Sequence, residues 1–245
     1  MLIIKIRKCK NLTTYQILAI IGIFFLILIL IVFSSRTRII KTYDKYMKIG
    51  NKSNITGKEL AFRAKQQLEL HDLEFALLED KLSDAYSPKH KTLILSREVC
   101  DTASLAALTI VAHELGHAMQ HKNDSGLFFL NQLFGKLTRF TNRFIIPLLV
   151  IGLASFVFKY PNPDIGITLM LISGILFAMH ILFLICTIPL EYNASSRALR
   201  FLKNYNYVSA SELKKAKKLL SIAAQTYIVG LFDGLFVFNK KRTKK

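Results

Sequence analysis

The run Ile165–Leu190 constrains this chain more than any other feature: it carries no charged side chain apart from the titratable His180. A bilayer core takes roughly 17–25 helical residues, so the run is long enough to cross one. Three further segments read the same way. Ile17–Phe33 is uncharged, and "SSRTR" follows it where a cleaved signal would show a small-residue cleavage site, so it reads as a retained anchor. Leu219–Phe238 contains only Asp233, flanked by Gly230 and Gly234, which suits close helix packing. Phe144–Phe158 is short, but Arg143 and Lys159 at its ends can snorkel to the headgroups. The expectation is about four transmembrane helices.

Composition narrows the partners. The net charge is +18, and the basic residues gather at the ends of the apolar runs: Lys5–Lys10, Arg36–Lys48, Arg197–Lys218 and Lys240–Lys245. That placement fits a bilayer with anionic headgroups rather than nucleic acid, for which no module is visible. Cys9, Cys100 and Cys186 show no paired spacing and give neither a disulfide framework nor a thiolate metal site.

Between the first and second apolar runs the composition is that of a soluble domain. Thr56–Leu70 predicts a helix with Leu60, Ala61, Ala64 and Leu68 on one stripe. "DAYSPKHK" (84–91) reads as turn and "TLILS" (92–96) as a strand able to pair with an extended substrate or to lie inside a sheet. Asp101–Ser104 offers N-caps for a helix over Leu105–His121.

That helix carries "AHELGHAMQH" (112–121). Residues four apart share a helix face about 6 Å apart, so His113 and His117 can both aim a ring nitrogen at one cation. Glu114, one position round, flanks that cation as a general base. His121 lies ~12 Å from His113 along the axis and ~80° round it, too far to join the same ion; it is expected as a cation at the helix end. A catalytic zinc takes three protein ligands and an open position. "PLEYNASSRALR" (189–200) is the best source of the third, through Glu191, with Ser195 or Asn193 steadying a histidine. An ordinary carboxylate balancing Arg197 or Arg200 is the other reading of Glu191. Two crossings between His117 and Glu191 put both on one side of the membrane.

"AHELGHAMQH", "DAYSPKHKTLILS" (84–96), "IPLEYNASSRAL" (188–199) and "AKKLLSIAAQTYI" (216–228) resemble the bacterial membrane-bound neutral zinc metallopeptidases of the YugP type, from about Thr56 onward. The resemblance implies a zinc-dependent peptidase acting on polypeptide. It implies one Zn2+ per chain held by His113 and His117, with Glu191 as the third ligand and Glu114 as the catalytic base. Asn193 stands where that family usually has Asp. Arg197, Tyr192 and Tyr86 are candidates to stabilise the oxyanion.

The expected fold is therefore mainly α: a polytopic membrane protein with a small α+β zincin-like catalytic region. Its parts are an anchor (1–38), the metallopeptidase region (39–143), two transmembrane helices (144–190), a polar helical segment bearing the third ligand (191–218), and a last transmembrane helix with a basic tail (219–245). The protein is expected in the cell membrane, with the density at Lys214–Lys218 tipping the site to the cytoplasmic side. Two rivals compete: an intramembrane protease of the site-2 type using Asp164 of "PNPDIG", and a catalytically inactive membrane scaffold that retains a zinc site.

Overall fold

The longest buried element is the helix that carries the histidines, here α4 (Leu105–Lys122). Ser104 caps it, its side chain accepting from the Ala107 amide. Leu105–Leu108, Val111, Ala112, Leu115 and Ala118 are apolar on almost every face, and all are buried. A helix apolar all round has to be packed on all sides. The computed structural model describes residues 37–123 and 126–236, with Leu30 and Ser34, and side chains as far as Ala224.

The elements that surround α4 follow from local chemistry. Residues 37–47 form helix α1, which sends Tyr43, Tyr46 and Met47 into the core. Helix α2 (Gly57–Gln67) opens with a capping box in which Thr56 and Glu59 satisfy each other's backbone amides. Its Leu60, Ala61 and Ala64 are fully buried, as the stripe predicted. Strands β1 (Glu74–Leu78), β2 (Ala85–Ser87) and β3 (Thr92–Ser96) make a mixed sheet in the order β1-β3-β2. β1 runs parallel to β3 with Glu74 opposite Thr92, and β2 runs antiparallel with Tyr86 opposite Leu93. Helix α3 (Arg97–Asp101) then leads to α4.

Of the two readings of Thr92–Ser96 the interior one holds, and the turn expected at 85–87 changes. β3 is the central strand, with Leu93 and Leu95 buried, so its edges are both taken and no substrate can pair with it. Ala85–Ser87, expected as turn, is an edge strand. Pro88 follows it directly, where its missing amide costs no ladder bond.

Beyond α4 the molecule changes character. Helices α5 (Gly126–Phe158) and α6 (Pro163–Asn204) have 33 and 42 residues and pack antiparallel. Asn131 donates to Thr187 at 2.6 Å, Ser173 donates to the Ile145 carbonyl at 2.8 Å, and a Cβ on Gly152 would stand 2.8 Å from the Gly166 carbonyl. Those pairs are separated by 14 and then 7 residues on both helices, so the register holds over a straight hairpin. Helix α7 (Ala210–Phe236) starts after a break at 205–209, capped by Ser209 and Glu212.

Among the described residues two helices are long and apolar enough to cross a membrane, Phe140–Phe158 within α5 and Pro163–Asn204. The short segment at Phe144 is not a helix start: α5 runs on upstream to Gly126 and supplies the missing turns. Of the four expected spans, Ile17–Phe33 lies almost wholly outside the described residues. Leu219–Phe238 follows α7 to Phe236, with the side chains after Ala224, Asp233 among them, outside the description. The boundaries drawn at 143/144, 190/191 and 218/219 all fall inside uninterrupted helices. Composition shifts at those points, but the helices run on across them, and through Pro147 and Pro189, each of which leaves one ladder bond unmade.

Candidate metal centre

The site forms where α4 crosses the upper part of α6. Gly116 makes that crossing possible: a Cβ there would stand 2.5 Å from the Ala194 carbonyl. The two small residues let the backbones touch, and the contact draws Glu191 down to the histidines of α4. Ala194 and Ala198 are fully buried on the facing side.

His113, His117 and Glu191 each offer one ligand atom, and the three atoms lie within 4.8 Å of one another. Glu191 Oε2 is 3.2 Å from His113 Nε2 and 3.4 Å from His117 Nε2. The two imidazole rings stand edge to face, with centroids 4.8 Å apart. Ligand atoms ~2.0–2.2 Å from one tetrahedral zinc are roughly 3.3–3.5 Å apart, which is the spacing from Glu191 to each ring. Glu191 Oε2 is buried and makes no hydrogen bond of good geometry, its polar neighbours being the two ring nitrogens that converge with it. A buried anionic oxygen without a partner is costly unless a cation sits beside it. The donor set therefore fits a divalent metal of the zinc type.

The far nitrogens of both rings are held. His113 Nδ1 meets Ser195 Oγ at 3.3 Å, and His117 Nδ1 meets Gln120 Oε1 at 3.0 Å. Gln120 in turn donates through Nε2 to the Leu190 carbonyl at 2.8 Å and to Asn193 Oδ1 at 3.1 Å. A carbonyl only accepts, so the bond to Leu190 fixes which way the Gln120 amide faces. Its Oε1 then accepts from His117, which puts the proton of the neutral ring on Nδ1 and leaves the Nε2 lone pair for a metal. Asn193 also accepts from Arg197 Nε at 2.8 Å.

Glu114 sits on the open side, where the Tyr86 amide of β2 donates to its Oε2 at 2.8 Å. Burial pushes its carboxyl up from the usual carboxylate range, and the Glu191 charge adds to that, against the pull of the two histidines. Burial works against a charged His117, but Glu191 and then Glu114 outweigh it and push that imidazole up to about 9. A cleft of about 200 Å3 opens above these groups, lined by Asp84, Tyr86, Glu114, His117, Phe128 and Glu191 among others.

The structure thus brings together His113, His117, Glu191 and Glu114, with Ser195 beside the first ring. His121 is elsewhere: its Nδ1 meets the Tyr86 hydroxyl at 2.8 Å and its ring stacks on Phe128 at 5.3 Å. Of the three oxyanion candidates only Tyr86 lines the cleft; Tyr192 is exposed, and Arg197 is engaged with Asn193. Asp164 stands in the first turn of α6, 27 residues before Glu191 and so ~40 Å away along the axis. It cannot share a metal with His113, which removes the intramembrane reading built on it. Gln120 was missed by sequence reasoning, although its place three residues after His117 on the same helix face was the available signal.

Fold and site together define a mainly helical protein with, among the described residues, two helices long and apolar enough to cross a membrane and a buried two-histidine, one-carboxylate pocket fit for a divalent metal. The chain belongs to the family described as "Putative neutral zinc metallopeptidase", whose model matches residues 21–240. It is 30% identical over 205 residues to "Putative membrane protease YugP" of Bacillus subtilis (strain 168), covering 83% of this chain and 87% of that one. No solved structure matches.

Proposed function

We propose that this protein is a membrane-bound, zinc-dependent endopeptidase with one Zn2+ per chain, held by His113, His117 and Glu191. The observation that carries this reading is the partnerless Glu191 Oε2, placed 3.2 and 3.4 Å from two imidazole nitrogens whose other nitrogens are already bonded. Bound there, zinc supplies Lewis acidity to a substrate carbonyl and acidity to water. Glu114, facing the cleft, would take a proton from an attacking water and pass it to the leaving amine. Its raised affinity for a proton suits both steps, since a carboxyl that holds a proton too weakly is a poor base. The Tyr86 amide orients the carboxylate, and an extended substrate along the open edge of β2 would compete for that same amide. The Tyr86 hydroxyl, already bonded to His121 at 2.8 Å, would have to leave that ring to steady an oxyanion in the cleft.

The experiment is Glu114→Gln in the full chain purified in detergent. Zinc content stays at one per chain, while hydrolysis of an unfolded polypeptide falls by roughly 100-fold or more, the range for losing a general base. Full activity in that variant would refute the assigned role. Wild-type protein that holds zinc and cleaves nothing would favour the inactive scaffold.

A further inference from the structure

The cleft has two kinds of wall. One belongs to the soluble part, through β2 and α4. The other comes from the long hairpin: Phe128, Asn131 and Gln132 of α5, and Leu190 with Glu191 of α6. The hairpin wall is amphipathic across its own thickness. Asn131 and Gln132 face the cleft, while Phe129 and Leu133 on the same two turns are 70% and 56% exposed. Across the hairpin Leu182 and Ile185 are 63% and 60% exposed. On α5 the exposed apolar residues recur as Phe129, Leu133, Leu137, Phe140 and Phe144 into the span, with Lys136, Arg139 and Arg143 interleaved in the sequence, and on α6 Leu171, Ile175, Leu182 and Ile185 are exposed along the other span. A patch of this kind against water would be anomalous, and its continuity with the spans identifies what covers it: the boundary layer of the bilayer.

The hairpin register gives the height of the site. Phe140, the first residue of the α5 span, lies level with Ala178, since Ile145 is level with Ser173. Glu191 is 13 residues further along α6, so the metal centre stands ~20 Å above that level. An extended chain covers ~20 Å in about six residues at ~3.3 Å each. Phe129, Leu133, Leu182 and Ile185 occupy the interval between.

We infer that the cleft opens onto the membrane surface, and that its substrates are polypeptides anchored in the bilayer, cut within about six residues of the point where they leave it. This rests on the peptidase reading above and adds the substrate class. Asn131 and Gln132 supply polar partners for the emerging backbone, and the basic flanks hold the assembly against anionic lipid.

Two measurements test it on the full chain in phosphatidylcholine–phosphatidylglycerol vesicles. The chain has no Trp, so Phe129→Trp and Phe62→Trp each place a single reporter, the second on exposed α2 far from the hairpin. Lipids brominated in the upper acyl chain quench the reporter at 129 and leave the one at 62 unchanged; equal behaviour at both positions would overturn the placement. The second measurement offers a single-span helix bearing a disordered, mixed-sequence extension of about thirty residues, which reaches roughly 100 Å, beside the same extension without a span. Mass spectrometry of the products should find cuts concentrated in the first six or so positions after the span. The anchored form should also be cut at least tenfold faster there than at its distal end. Cuts spread evenly along the extension, with the free peptide cleaved as readily, would overturn this inference and leave the peptidase reading standing. No cleavage of either substrate by zinc-loaded protein would bring down the peptidase reading, and this one with it.

Discussion

The soluble part and the hairpin are built to opposite rules. Around α4 the large apolar side chains turn inward, Leu60, Leu93, Leu108 and Leu115 being fully buried, while Phe62, Leu77 and Leu78 on the periphery stay exposed. Along α5 and α6 they point outward, while Ser155, Ser173, Thr187 and Asn142 lie inside. Small and polar residues do the packing there, as Gly152 against Gly166 and Asn131 with Thr187 show. The first arrangement is driven by water and the second is what lipid requires. The metal centre sits on the seam, two ligands from the water-built side and one from the helix that continues into the lipid-built side. The seam is why this candidate metal site needs both halves of the chain.

The largest test of that division is to cut the seam. Gly116→Val puts a branched side chain against the Ala194 carbonyl, separates α4 from α6, and should abolish metal binding while the circular dichroism of the helices persists. Retained zinc would show that the close approach is unnecessary. Next comes the clamp across the seam. Gln120→Ala frees His117 and unhooks Leu190 and Asn193, and should weaken zinc about 10–100-fold, the usual range for a residue behind a ligand; competition with a chromogenic chelator reads it.

Proton linkage gives a middle-sized effect. Without metal, His117 is pushed up to about 9 by Glu191 and Glu114, against burial, so below that pH a proton must leave before a cation enters. Apparent zinc affinity should rise by about tenfold per pH unit from pH 7 towards 9 and then level off. A flat profile over that range would show the ring to be neutral already. The asymmetry of the two halves predicts the smallest difference. Leu108→Ala in the soluble core should cost ~2–5 kcal/mol. The same truncation at the exposed Leu171 of the hairpin should cost under about 1 kcal/mol, being a surface change in its own solvent. Comparable losses at both, read by unfolding in detergent, would mean that the hairpin surface is covered by protein.

Much of this was legible in the residues because the signals were local. The cap at Ser104, the stripe on α2, the strand at Thr92–Ser96 and the four-residue spacing of His113 and His117 each depend on a few neighbours, and each was found. Spacing left Glu191 open between ligand and ordinary carboxylate; the parity of the crossings allowed it on the same side, and the family resemblance is what implied it as third ligand. The signals that failed were those set by tertiary contact. Nothing in "DAYS" announces an edge strand, because three residues have no period. The divisions drawn at 143, 190 and 218 follow composition, which tracks the solvent, and the helices that run across them leave no mark in composition. Gln120 was invisible as a bridge because two of its partners, Leu190 and Asn193, are about seventy positions away in the chain.

The central claim is one cation shared by α4 and α6, and zinc counted per chain tests it most directly. Intact protein purified in detergent without chelators should carry one zinc, and Glu191→Ala should lose at least nine-tenths of it with its helical content unchanged. Zinc held at full stoichiometry by that variant, or absent from the parent, would contradict the account.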